Sequence, residues 1–324
     1  MGEFDLIARY FTRPAKRAVL GVGDDCALLQ PAPGMQMAIS SDMLVEGRHF
    51  FAGVTPFTLG HKALAVNLSD LAACGATPTA FTLALALPQA DAAWLEAYSA
   101  GLFALADEFG CELIGGDTPK GPLTICITVF GELAPGHALR RDAAREGDDI
   151  WISGSLGDAR LALAGYRAEV TLDAAGLSEA APRMHAPSPR VALGQLLAGG
   201  EGAVPLAHAA IDISDGLTGD LGHILAASRV GARLNVDALP AGPVLARQDR
   251  ALRRRYTAAG GDDYELCFTA APAQRDAILA AGAASATAVT RVGRIEAQPG
   301  LRLCDAGGRE LDLRLAGFDH FSGD

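Results

Sequence analysis

The chain has 324 residues, half of them apolar and a fifth charged, with 38 Gly, 17 Pro and a formal net charge of −11. That length exceeds what one average core organises, so two domains are expected, and the acidic balance argues against nucleic acid, which needs a basic face. No apolar run nears the roughly 20 residues that cross a bilayer, and the first twenty residues mix acids and bases unlike a signal peptide.

Met35 to Ile39 is short and apolar and predicts a strand that runs into Ser40-Ser41-Asp42. Thr55-Pro56 marks a helix start, with proline at the first helical position, and the Ala- and Leu-rich run that follows ends at Gly75, with Asp70 near its C-terminus. From Asp91 to Phe109, Trp94, Leu95, Tyr98, Leu102, Leu105 and Phe109 share one helical stripe, closed by Gly110. CELIG predicts a brief strand ending in Gly116-Asp117, and Leu123 to Leu133 alternates as another.

The polar run RRDAAREGDD marks a domain boundary, giving domains 1–146 and 147–324. Beyond it, the strand DIWIS meets GSLGDARLALAG, a glycine turn into a helix; that turn is either an anion-binding helix N-terminus or a plain tight turn. MHAPSPR reads as an extended connector. AAIDIS is a strand and SDGLTGDLGHILAAS a helix, with Leu217, Leu221, Ile224 and Leu225 facing inward and Ser214 or Asp215 as N-cap. The final strands lie near YELCF and TRVGRI. Strands and helices alternate in both halves, so the fold class is α/β, each domain a mixed sheet covered by helices.

Six cysteines are scattered without a CxxC pair, and they read as reduced cytosolic thiols, mostly buried. Cys26, directly after GDD in an apolar run, is expected to be buried too. The seven histidines form no HxxxH or HxH pair for zinc. Oxygen-rich acidic segments recur instead: GDDC, SSD, NLSD, GGD, DISD and GGDD. Singly, each is ordinary turn chemistry, because Asp favours turns and N-caps. Jointly, several fall at the strand ends where α/β proteins build ligand sites. Converging carboxylates repel unless cations neutralise them, and Mg2+ is held by one or two carboxylates plus waters and phosphates. The set therefore implies several Mg2+ ions bridged by an anionic substrate, as phosphoryl transfer requires. The chain carries no Walker sequence and no protein-kinase motif set.

The ordered set GEFDLIARYF, GVGDDCAL, AISSDMLVEGRHF, KALAVNLSDLAACGA, LIGGDT, IDISDGL, GGDDYELCF and GFDHF resembles the thiamine-monophosphate kinase family over nearly the whole chain. The wider superfamily includes aminoimidazole-ribonucleotide synthetase, selenophosphate synthetase and the hydrogenase-maturation dehydratase. This resemblance implies a two-domain α/β fold, a homodimer through the N-terminal domain and a cytoplasmic enzyme. It also implies phosphorylation of thiamine monophosphate by ATP with several Mg2+. By that resemblance Asp25, Ser40, Ser41, Asp42, Asp70, Asp117, Asp212 and Asp215 match metal ligands. Gly116, Asp117, Arg141 and Ser214 match ATP contacts, and His49, Asp262 and Phe318 match positions that hold thiamine monophosphate. Asp262 stands where the family often has Glu, one methylene longer, and Ser41 where it often has Thr. From residue type alone, Arg141 is either a fork for nucleotide phosphates or a solvated member of the polar run. The acceptor phosphate is already ionised at neutral pH, its second pKa being about 6, so no covalent nucleophile or general base is expected.

Overall fold

Proline at a first helical position and glycine just past a last one bound the long N-terminal helices. In this computed structural model, residues 2–200, 203–313 and 315 are described, and Phe318 lies outside them. The chain divides into two compact units. One holds the residues up to Leu71 with Ala76–Gly136, and the other holds Ala72–Gly75 with the residues from His137 onward.

The first unit begins with a single turn, α1 (Glu3–Leu6), continuing as a π-helical turn over Ile7–Phe11. Its sheet is built from β1 (Gln36–Val45), β2 (Thr77–Ala86), β3 (Glu112–Asp117) and β4 (Thr124–Leu133), in the order β1-β4-β2-β3. Two helices accompany it, α2 (Pro56–Cys74) and α3 (Ala92–Phe109). Asp91 caps α3 by accepting the Ala93 and Trp94 N–H groups at 2.9 and 3.1 Å, and Gly110 ends it in the left-handed conformation. Along β4 burial alternates: Ile125, Ile127 and Val129 are buried, whereas Thr124, Cys126, Thr128 and Phe130 are half-buried on the other face. The buried face lies against α2, since a Cβ at Gly131 would stand 3.1 Å from the Leu71 methyls. Leu64, Leu68, Leu95 and Leu102 are fully buried, each stabilising the fold by roughly 1.5–3 kcal/mol. On the opposite face, Ile39 and Met43 of β1 stay 62% and 54% exposed.

The second unit is a six-stranded sheet accompanied by helices α4 (Asp158–Tyr166), α5 (Ala174–His185), α6 (Val191–Leu197), α7 (Leu217–Ser228), α8 (Arg250–Ala259) and α9 (Arg275–Ala284). Its strands are β5 (Asp149–Ser153), β6 (Ala209–Asp212), β7 (Gly231–Asn235), β8 (Leu266–Ala270), β9 (Val289–Glu296) and β10 (Gly300–Cys304), ordered β10-β7-β9-β5-β8-β6. Among the described residues of this sheet, only β10 and β7 pair in parallel. Leu217, Leu221 and Ile224 of α7 are fully buried beside Ile150, Ile152 and Ile211, as the helical stripe predicts.

Four local expectations are corrected. The first strand does not stop at Ile39 but runs through Ser40-Ser41-Asp42 to Val45, because β4 continues to pair with it as far as Thr124. The N-cap of α7 is Gly216 rather than Ser214 or Asp215, with φ of 115°; a Cβ there would meet the Ala259 carbonyl carbon at 2.9 Å. Strands β7 and β10 add two members that GARLN and GLRLC did not announce. Cys26 is exposed rather than buried, because its segment is a turn outside the named strands, closed by isolated bridges such as Leu20 with Leu28.

Candidate active site

In the first unit, strand alternation sorts the SSD segment onto two faces. Ser40 and Asp42 stand opposite Val129 and Ile127, on the face that α2 covers, and Ser41 stands opposite Thr128 on the other. The Ser40 hydroxyl donates to Asp70 Oδ2 on α2 at 2.6 Å, and the Asp42 N–H donates to Asn67 Oδ1 one helical turn earlier at 2.9 Å. Asn67 is buried and its own amide donates to the Ala63 carbonyl at 3.0 Å, which fixes which end of the amide faces Asp42. Thus β1 and α2 bring Ser40, Asp42 and Asp70 together. The Ser41 side chain is not brought to them, since its hydroxyl lies 2.9 Å from Thr128 Oγ1 and donates to the Ile127 carbonyl at 3.1 Å.

Asp117 is the exposed last residue of β3, its Oδ1 accepting the Thr118 N–H at 3.0 Å. Gly116 before it has φ of 151° and packs so tightly that a Cβ would stand 1.8 Å from the Leu83 carbonyl oxygen, so only glycine fits. Asp117 occupies the row of Ala84, Cys126 and Met43. It is therefore three strand spacings from β1, about 14 Å across the sheet. Asp25 is exposed in the GDD turn, where its N–H donates to Asp24 Oδ1 at 2.8 Å. His49 Nδ1 accepts the Val45 N–H at 3.0 Å, so the neutral ring carries its proton on Nε2 and presents a donor there.

In the second unit, Asp212 closes β6 and is buried. The Ser214-Asp215-Gly216 loop that follows wraps around a residue not singled out in the sequence, Asp220. Its Oδ2 accepts the N–H groups of Ser214, Asp215 and Gly216 at 3.2, 3.2 and 3.1 Å. Burial, then the adjacent Asp215 charge, push the Asp220 carboxyl up to about 7. The signal for it was an acid in the first turn of the SDGLTGD helix.

GGDDYE lies alongside this loop: the Asp262 N–H donates to the Ser214 carbonyl and the Tyr264 N–H to the Ile213 carbonyl, both at 2.8 Å. The next acid, Asp263, is buried, and its Oδ1 accepts the Gly157 N–H at 2.8 Å. The glycine turn before α4 is therefore filled by the chain's own carboxyl, and burial raises that carboxyl well above the usual range. Arg141 is exposed, with its carbonyl accepting the Ser228 hydroxyl at 2.8 Å. Ser228 ends α7, so Arg141 is anchored about 17 Å along that helix from the Ser214 loop. The structure does not bring Arg141 and Ser214 together.

Among the described residues, no three His, Cys, Asp or Glu side chains gather tightly enough to hold an ion on their own. The donors at hand are carboxylates and a hydroxyl, hard oxygen ligands that suit Mg2+, which takes one or two carboxylates and completes its shell with water and phosphate. Ser40, Asp42 and Asp70 meet that requirement in the first unit, and Asp212 and Asp215 offer it in the second.

Residues 23–133 match the N-terminal domain of AIR synthase related proteins, and residues 145–305 match the C-terminal domain. With two sheet-and-helix units in that order, the chain belongs to this two-domain α/β class. Within it, the chain is 44% identical over 330 residues to thiamine-monophosphate kinase of Salmonella typhimurium, covering 99% of this chain and 98% of that one. A crystal structure of thiamine-monophosphate kinase from Stenotrophomonas maltophilia K279a matches with TM-score 0.83 at 45% identity, covering 93% and 94% of the two chains. A structure of AaThiL complexed with AMPPCP and TMP matches with TM-score 0.76 at 26% identity, covering 90% and 89%. The chain belongs to the thiamine-monophosphate kinase family.

Proposed function

We propose that this chain transfers the terminal phosphoryl group of ATP directly to thiamine monophosphate, giving thiamine diphosphate and ADP. The observation that carries the reading is the 44% identity to thiamine-monophosphate kinase across both domains. The AMPPCP and TMP held by the related AaThiL supports the same pair of substrates here.

The site residues divide the work by unit. Ser40, Asp42 and Asp70 would hold Mg2+ in the N-terminal domain, with Asp25 and Asp117 as ligands for further ions and Asp212 and Asp215 as those of the C-terminal domain. The chemistry such ions would supply when bound is neutralisation of phosphate charge, which lowers the repulsion that opposes phosphoryl transfer. For Ser41, whose side chain faces away from Ser40 and Asp42, only a main-chain contribution fits. In this reading Gly116, Asp117, Arg141 and Ser214 are the ATP contacts. His49 donates from Nε2 to thiamine monophosphate, Asp262 accepts from it, and Phe318 stacks on its ring. No residue acts as covalent nucleophile or base, because the acceptor phosphate is already ionised.

The domains, 1–146 for ATP, metal and dimerisation and 147–324 for completing the site, follow the same reading. A homodimer through the N-terminal sheet would cover Ile39 and Met43, whose exposure is otherwise unfavourable. The six cysteines, among which the described residues show no disulfide, suit a reducing cytoplasm. The test is ADP release from ATP and Mg2+ with and without thiamine monophosphate, with product identified chromatographically. Release that depends on the acceptor and yields thiamine diphosphate is expected. Mg2+-stabilised melting without turnover would replace the kinase with a binding module.

A further inference from the structure

The segment MHAPSPR is only partly an extended connector: its Met184 and His185 end α5, and its Arg190 precedes α6. Arg183, in the last turn of α5, and Arg190, just before α6, both reach Glu265 of the GGDDYE loop, and Glu265 is fully buried. Arg190 binds it as a fork, Nε to Oε2 at 2.7 Å and Nη2 to Oε1 at 2.5 Å. Arg183 Nη2 donates to Oε1 at 2.8 Å and also to the Asp263 carbonyl at 3.0 Å. The Ser153 hydroxyl completes the shell at 2.6 Å, and Gly154 leaves the space, since a Cβ there would stand 2.1 Å from Oε1.

Stability alone does not require this arrangement, because a well-packed apolar group of similar volume serves a core as well as a buried ion pair does. The loop it grips is unusual. Asp262 and Tyr264 both adopt left-handed φ, 69° and 50°, a conformation uncommon outside glycine, better tolerated by Asp than by the bulky Tyr. Between them sits Asp263, whose carbonyl Arg183 holds. On the far side the loop is tied to the Asp212–Asp215 strand end by the Asp262, Tyr264 and Ile213 main-chain bonds.

We propose that Arg183 and Arg190 are positioning residues for the acceptor site: clamped on Glu265, they fix the left-handed loop that presents Asp262. This rests on the reading of Asp262 as a thiamine monophosphate contact. Arg190 neutralises the buried carboxylate, and Arg183 transmits that anchor to the loop main chain.

The test is kinetics of Arg183→Met, Arg183→Lys, Asp262→Ala and the Arg183→Met/Asp262→Ala double variant. Amide hydrogen exchange of the wild-type chain and the Arg183 variants accompanies it. Arg183→Met is expected to raise the KM for thiamine monophosphate about tenfold or more while the KM for ATP stays within about twofold; Arg183→Lys recovers part of the loss. The double variant should be no worse than Asp262→Ala, the non-additivity of residues acting through one another. Exchange at the Asp262 and Tyr264 amides should quicken by about tenfold with the melting temperature nearly kept. Parallel rises in both KM values, additive losses, or unchanged exchange at those amides would overturn the clamp. Should Arg183→Met not fold, Arg183→Lys carries the same comparisons. Absence of wild-type turnover would sink the kinase reading instead, and the exchange result would then decide the clamp by itself.

Discussion

Asp237 and Asp215 both lie a few residues beyond a strand of the second unit, yet their surroundings are opposite. Asp237 receives the Arg254 fork at 2.7 and 2.6 Å, Arg250 at 3.4 and 3.2 Å, and the Ala306 N–H at 3.1 Å. The Arg254 bonds, above all, hold its carboxyl far below the usual carboxylate range. Asp215 instead faces another acid, Asp220, whose carboxyl is lifted by burial and by that neighbour. Asp149, gripped by Arg275 and Arg291, follows the first pattern. An acid that the chain satisfies with arginine is part of the scaffold. One set beside a second acid is stable only with a proton or an added cation between them, which is where a metal-dependent site belongs.

The sharpest way to break that distinction is to neutralise strand-borne acids assigned to metal. Asp42→Asn or Asp117→Asn is expected to cut turnover about a thousandfold or more while leaving the melting temperature unchanged or raised. ADP release and thermal melting measure the two. Near-normal turnover would remove that residue from the metal set.

Next in size is the pH dependence of stability in Mg2+-free buffer. Asp237 has a depressed folded pKa, so its contribution is present above its unfolded value near 4 and is lost as the pH falls below it. Asp220 has a raised folded pKa of about 7, so its contribution is present below about pH 4 and is lost as the pH rises toward 7, on the order of 4 kcal/mol in all. Asp237→Asn should therefore destabilise at pH 7 and much less in acid. Asp220→Asn keeps an oxygen for the three N–H groups, and it should stabilise at pH 8 and change little at pH 4. Melting curves from pH 3 to 8 check both; equal effects at every pH would erase the contrast.

The smallest effect separates two adjacent hydroxyls. Ser41→Ala should leave turnover within about twofold, because its side chain bonds across the open sheet face. Ser40→Ala, which removes the Asp70 contact, should raise the Mg2+ concentration needed for half-maximal rate. A larger loss at Ser41 than at Ser40 would reverse their assignment.

Much of the scaffold was readable beforehand because its signals are local. Pro56 at a first helical position, Asp91 as an N-cap and Gly110 as a stop each act on backbone within a few residues. The buried stripe of α7 followed from a 3.6-residue period. The recurring acidic segments were legible as candidates from residue type and spacing alone. Their companions were not: Asn67, Asp220, Asp263 and Glu265 are defined by what packs on them. Glu265 meets arginines 75 and 82 positions away, a relation no short motif carries.

By itself, then, the sequence determined the class of fold, several of its helices and strands, and an oxygen-rich chemistry suited to phosphate and magnesium, since each depends on residue type and near-neighbour spacing. Tertiary structure decided which acids are met by arginine, such as Asp237 and Asp149, and which lie beside another acid, such as Asp215. It put Ser41 on the far side of its strand from Ser40, and it closed the α4 turn with Asp263. The physical reason is that charge and hydrogen-bond satisfaction act through space. A carboxyl's role depends on whether folding brings it a guanidinium, an N–H group or another carboxyl.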